Sequence, residues 1–391
     1  MNSRRNFLII TVTWALMNPF TSAINVYFSL FVLELGGSVV DVGLINLVSM
    51  VTLSISRLFG GYLADTLGRK RVIVPMTILY AFSNLIFVFA PDWRFLLIGN
   101  LICSIALMYQ PALMALVGDI LPSERRGSGV SLMNAPSQLL GLVGPPLATL
   151  VVSSQGLERG MRILFLLVFL STLLSGMMRL LLVETYSSRS ELSLEHAIKE
   201  YRDSLRSMRG DLGKLIVISS SVIGIYNMAY PYLQVYAVKY LGLSLELWGL
   251  LSTLIAVIST ISLLISGYLS DRIGRNLMMA LGYLSASIGL LLISLARDPL
   301  SFSLALIINV IFSSSPASQA LLFDLTSEEA RGKVNAMNGL IEGSISGTMS
   351  ALGGFIYGFS APFLFSLASL LLIPLIIGSL KLPKGKIAQV R

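Results

Sequence analysis

The chain has 391 residues, of which 55% are apolar and only 12% charged, with a mean hydropathy of +0.81. A soluble domain carries about 25% charged residues, so a water-facing globule is excluded. One cysteine rules out a disulfide and any multi-cysteine metal or iron–sulfur site, and one histidine rules out a histidine cluster.

Runs with little or no charge fall at about 7–33, 42–63, 72–90, 95–118, 130–152 and 163–183. After a polar interval they resume at about 212–238, 247–269, 277–296, 301–323, 334–358 and 361–380. A helix crosses a bilayer with roughly 20 apolar residues, so the pattern predicts an all-α polytopic membrane protein of twelve transmembrane helices. The basic start followed by apolar residues has the outline of a signal peptide. The run from Phe7 to Leu33 is nevertheless long enough to span, and it reads as the first retained helix. The net charge of +8 punctuates the apolar runs instead of clustering on one element, which is not the footprint of a nucleic-acid binder. With twelve spans, 21 of the 28 Lys and Arg fall on the face that carries both termini. Arg94, Arg159, Arg162, Lys239 and Arg297 fall on the other, and Arg57 and Arg179 lie inside spans. The positive-inside rule then places both termini in the cytoplasm of a plasma-membrane protein.

In the polar interval Leu194, Ile198, Tyr201, Leu205 and Met208 recur at helical spacing. Glu191 and Glu195 come first and Arg206 and Arg209 last, as the helix dipole favours. An amphipathic surface helix in a linker, 185–210, is therefore expected between halves at 1–184 and 211–391. The halves repeat each other: Gly61, Asp65, Gly68 and Arg69 recur as Gly267, Asp271, Gly274 and Arg275, 206 residues on. Asp119, Arg126 and Gly127 recur as Asp324, Arg331 and Gly332, and Pro111 as Pro316, 205 residues on. Six spans per half give both copies the same orientation, a parallel repeat of the kind that encloses a central cavity and opens it to either side by rocking.

The loop Gly61–Arg71, G-Y-L-A-D-T-L-G-R-K-R, closely resembles the signature loop of the major facilitator superfamily, and the second copy at Gly267–Arg275 resembles its degenerate partner. Helix count, repeat and linker agree with that family along the whole chain. The resemblance implies a transporter whose loops latch its halves on the cytoplasmic side. It implies one cluster of Asp65, Arg69 and Asp119 and a counterpart of Asp271, Arg275 and Asp324. Gly61 would allow close helix approach, Gly68 a tight turn, and Asp65 would cap or neutralise a helix N-terminus. The fifth span, with Gly141, Gly144, Pro145 and Pro146, partly resembles a motif of drug/proton antiporters, the last three residues marking a helix kink. Leu140, Ala148 and Thr149 depart from that motif, and Asn100 stands in the fourth span where many proton-coupled relatives carry arginine.

Two ionisable groups sit at matching depth: Arg57, eight residues before Asp65, and Glu342, eight residues into the eleventh span. In the family the second and eleventh helices are neighbours, so one reading pairs them across the seam. In another, Arg57 reaches lipid phosphates and Glu342 lines the cavity. Glu342 is also a candidate proton carrier, and alternating pairing would reconcile the roles. The family lines its cavity with the first and fourth helix of each half. Those spans offer Trp14, Asn18, Thr21, Asn25, Asn100, Tyr109, Gln110, Tyr226, Asn227, Tyr230, Gln234, Asn309 and Gln319. Aromatic faces and amides suit an uncharged or amphipathic solute, whereas a phosphate or carboxylate calls for an inward Arg or Lys. Pro19, Pro111, Pro231 and Pro316 are expected to kink spans and shape the site or a hinge.

No phosphate-binding loop follows any Gly-Lys pair, and no nucleophile–base pair or metal-ligand set exists. The reading is a monomeric secondary transporter, not an enzyme, with no metal or cofactor. Its partners are a small-molecule substrate, protons and membrane lipids. Proton-coupled efflux by alternating access is the favoured direction; uptake or facilitated diffusion of a neutral solute, or lipid flipping, stand as alternatives.

Overall fold

The computed structural model describes residues 2–121, 126–185, 208–327 and 331–385. The expected linker helix lies almost wholly outside the described residues. The first set of helices is α1 (Asn2–Asn25), a short α2 (Phe28–Glu34), α3 (Val39–Leu67), α4 (Arg69–Val88) and α5 (Trp93–Ala106). It continues with α6 (Tyr109–Ile120), α7 (Arg126–Gly141), α8 (Gly144–Gln155) and α9 (Leu157–Arg179). The second set opens with α10 (Gly210–Ala229), which runs on through irregular turns at Tyr230–Tyr232, Leu233–Val235 and Tyr236–Tyr240. There follow α11 (Leu245–Ile273), α12 (Arg275–Leu295), α13 (Pro299–Val310), α14 (Ser315–Asp324), α15 (Arg331–Phe359) and α16 (Ala361–Leu380).

Among the described residues, eleven helical stretches are long and apolar enough to cross a membrane. The remaining expected span, α15, the eleventh in chain order, has the length, at 29 residues, but Asn335, Asn338, Glu342 and a run of glycines and serines dilute its apolar character. The chain divides into two compact units, one of 1–38 with 48–198 and one of 39–47 with 199–391. The start of α3 thus belongs to the second unit, where Gly43 lies so close to α15 that a Cβ would stand 2.8 Å from the Ser350 carbonyl oxygen.

The repeat recurs in local structure. Gly68 and Gly274 both adopt φ +97°, a conformation that costs only glycine nothing, and each reverses the chain between two long helices. Asp92 and Asp298, also 206 apart, each cap a helix: Asp92 accepts from the Arg94 backbone at 2.7 Å, Asp298 from Leu300 and Ser301 at 3.0 Å. The fourth and tenth spans are both interrupted, after Ala106 and after Val310. Pro111 and Pro316 fall in the first turn of the piece that resumes, where a missing N–H costs nothing. These two prolines begin helices, which corrects the expectation that they kink them. Pro19 stays inside a continuous α1, whereas Pro231 sits in the irregular stretch after α10.

The kink residues Gly144, Pro145 and Pro146 form the first turn of α8, directly after the break that separates it from α7. A Cβ at Gly144 would lie 2.6 Å from the Pro19 carbonyl oxygen and from Ser22, so α1 and α8 approach as closely as they do only over glycine. In the first unit Phe87 stacks on Phe165 at 4.5 Å. In the second, the Ser287 and Ser369 hydroxyls meet at 3.1 Å between α12 and α16, a contact that small residues allow between packed membrane helices.

Candidate functional site

Each unit carries a charge cluster at one end and a cavity further in. In the first unit Arg69 opens α4 and forms an ion pair with Asp119 on α6, while also donating to the Ala115 carbonyl. Asp65, in the last turns of α3, lies within reach of the Arg69 charge. The expected cap is supplied elsewhere: the carboxylate that accepts the first N–H groups of α4 is Glu184, at 3.2 Å from Arg69 N and 2.9 Å from Lys70 N. At α4, then, the cap is not Asp65. The cause is geometric, because Asp65 precedes the turn at Gly68 and is still wound into α3, whereas Glu184 comes from the non-helical segment after α9. Thr185 completes the cluster, its hydroxyl donating to Asp119 at 2.7 Å. Gly61 lies opposite Pro111, with room for a Cβ at 4.0 Å, which corrects the expectation that glycine is needed there for a close helix approach.

The second unit gathers its three expected residues. Arg275 meets Asp324 at 2.5 Å and Asp271 at 3.9 Å. Here the backbone carbonyl of Lys384 accepts from Arg275 N at 2.9 Å, the place that a carboxylate fills in the first unit.

The first unit's cavity, about 440 Å³, is lined by Trp14, Asn18, Thr21, Tyr109 and Gln110, together with Tyr80, Asn134 and Ser137. Arg57 stands against it: its Nε and Nη2 donate to Gln110 Oε1 at 3.0 and 2.8 Å. The second unit's cavity, about 420 Å³, takes in Tyr226, Tyr230, Asn309 and Gln319 as expected, and adds Tyr283, Asn338, Glu342 and the serines 313, 314, 315 and 318. Glu342 accepts from Asn338 Nδ2 at 2.8 Å. Arg57 and Glu342 thus each have a hydrogen-bond partner inside their own unit.

Four expected cavity residues line neither cavity. Asn25 ends α1 and is exposed. Asn100 bonds back to the Leu96 carbonyl of its own helix at 2.9 Å. Asn227 donates to the Ile223 carbonyl and to Ser346 on α15, at 2.9 and 3.3 Å. Gln234 is buried within the irregular segment after α10. Sequence reasoning missed Tyr283 and Tyr80 because they sit on third helices of their halves, outside the spans assumed to form the wall. It missed the serine cluster, although four serines between 313 and 318 inside an apolar span were a signal.

Two helical units, each with an Arg–Asp ion pair and a polar cavity among long apolar helices, are the build of a polytopic membrane transporter. A family model described as Major Facilitator Superfamily matches residues 8–315 and 215–389, and the chain belongs to that superfamily. It is 24% identical over 332 residues to "Sugar efflux transporter A" of Dickeya chrysanthemi, covering 82% of this chain and 81% of that one. It is 29% identical over 113 residues to "Quinolone resistance protein NorA" of Staphylococcus aureus, covering 29% of each. The fold is that of a solved D-xylose-proton symporter, with a TM-score of 0.79 at 17% identity over 98% of this chain and 99% of that one. The protein is a multi-pass membrane transporter and not an enzyme.

Proposed function

We propose that this transporter exports a small, neutral or amphipathic, hydroxyl-bearing solute across the plasma membrane by alternating access, in exchange for protons. The observation that carries the reading is Glu342, a carboxylate on the wall of a cavity otherwise made of tyrosines, serines and amides, held by neutral Asn338. Hydroxyl and amide groups can exchange hydrogen bonds with a polar uncharged solute while the aromatic faces cover its apolar side. An intramembrane carboxyl group facing a cavity is the usual station of a proton in a transport cycle. The relative named as a sugar efflux transporter agrees with a hydroxylated solute and with export. On this reading the chain works as a monomer with both termini in the cytoplasm, and the clusters around Arg69 and Arg275 latch the cycle. Gly68 supplies the turn that brings Arg69 into its cluster, and Gly274 does the same for Arg275.

A thermal-shift screen of neutral glycosides and hydrophobic dyes on the purified protein identifies the solute class. Proteoliposomes containing the protein should then accumulate the hit against its gradient when loaded with acid buffer. Glu342→Gln should abolish that accumulation and leave exchange down the solute's own gradient intact. Flux indifferent to an imposed proton gradient removes proton coupling. Labelled lipid crossing the bilayer in place of any glycoside favours flipping instead.

A further inference from the structure

Arg179, the last residue of α9, is completely buried, and no carboxylate among the described residues pairs with it. Its Nη1 donates to the Thr77 hydroxyl at 2.7 Å and its Nε to the Thr13 hydroxyl at 3.4 Å. Both threonines pass their own protons to carbonyls of their helices, Thr13 to Ile10 and Thr77 to Ile73, so their lone pairs are left for the guanidinium. Nη2 has no hydrogen-bond partner. The guanidinium carbon instead lies 4.8 Å from the centre of the Tyr109 ring.

A buried cation without a counter-charge is a poor way to tie helices together, since an apolar side chain of similar volume packs them without leaving water. What only a cation offers here is its grip on an aromatic face. Tyr109 is the first residue of α6, directly after the break in the fourth span, and it lines the first unit's cavity. The repeat adds an independent observation. The position 206 residues after Thr77 is Tyr283, and the position 205 after Tyr109 is Ser314; both line the open cavity of the second unit. No arginine lines that cavity. Where the second unit keeps a hole between these two positions, the first unit inserts a guanidinium.

We infer that Arg179 is a positioning residue that fixes the Tyr109 ring as a wall of the first unit's cavity, and so sets how deep that cavity is and which solutes fit, without touching them. The inference does not depend on the proposed substrate or coupling ion, and its test needs neither. Trp14 lines the same cavity and packs on the cluster that contains Tyr109. Trp93→Phe and Trp248→Phe leave Trp14 as the only tryptophan of the three, an internal reporter in the purified full-length chain. Arg179→Met should raise the acrylamide quenching constant of Trp14 about twofold or more, as expected when a cation–aromatic contact of ordinary strength is lost. Arg179→Lys, which still presents a charge to the ring, should stay nearer the parent. Tyr109→Leu should reproduce the rise, and adding Arg179→Met to it should raise quenching no further. Arg179→Ala should recover the parent quenching when millimolar guanidinium, but not sodium, is added. If Arg179→Met folds poorly, Arg179→Lys and Tyr109→Leu, singly and together, decide the question. A lowered Tm with unchanged Trp14 quenching, or effects of the two sites that simply add, overturns the positioning role and leaves a helix tie.

Discussion

Glu184 is separated by 115 residues from the backbone N–H of Arg69 that it receives, and nothing in the loop motif announces it. The motif states that charges gather at this end of the helices; it does not state which carboxylate finishes α4, because the chain that delivers it arrives from the sixth span. Glu184→Ala removes the acceptor of two N–H groups and should cost about 1 kcal/mol, the usual worth of a helix cap. A fall in Tm of a few degrees that Glu184→Gln partly restores is the expected outcome in thermal denaturation. The caps at the opposite loops allow a pH prediction. The Ser301 hydroxyl and backbone N–H, with the Leu300 N–H, hold the Asp298 carboxyl below the usual aspartate range. A carboxyl whose folded pKa is depressed binds protons more readily in the unfolded chain, so its contribution is present above about pH 4 and is lost as the pH falls through the folded value. Melting followed from about pH 6 to about pH 3 should therefore show a shallower acid loss in Ser301→Ala than in the parent.

At the scale of helices, the twelve runs, the repeat and the paired signature loops were legible because composition and spacing are local properties of the chain. The cavity walls were legible only where a helix is continuous or where the repeat marks its break. Asn18 and Tyr109 face the first cavity as periodicity suggests, but Asn100 belongs to α5, and the break after Ala106 resets the phase before Gln110. Gln234 falls in a segment whose turns run through three types within eleven residues, from Tyr230 to Tyr240, so no single period applies to it. The break before α8 has a consequence of its own. Gly144→Val would place a side chain against the Pro19 carbonyl and Ser22, forcing α1 away from α8. Overpacking of that kind typically costs about 1–3 kcal/mol. Gly144→Ala should cost less than the valine but remain measurable in Tm, and a valine variant as stable as the parent would show that α1 is free to shift.

For the molecule as a whole, the proposed cycle has to connect Arg57 and Glu342, two membrane-embedded charged groups that reside in different units. Depth along the helices, the property that sequence supplies, is the same for Arg57 and Glu342, which is why pairing between them was the natural expectation. Local chemistry gives each a different partner, Gln110 and Asn338, and both partners are neutral amides. A neutral amide holds a charge in place without neutralising it, so either contact can be exchanged for an opposite charge later in a cycle. If Arg57 alternates between Gln110 and Glu342, removing the amide biases the cycle toward the ion pair. Gln110→Leu should then lower the maximal rate of proton-driven transport about tenfold or more, as expected for loss of a charge-assisted hydrogen bond worth about 1.5–3 kcal/mol. The reciprocal exchange tests the same idea from the other side: Arg57→Glu and Glu342→Arg should each abolish transport, and the double variant should recover a measurable fraction. A Gln110→Leu protein that turns over like the parent, together with a double variant as dead as its singles, would mean that the two charges never meet and that Glu342 serves the proton alone.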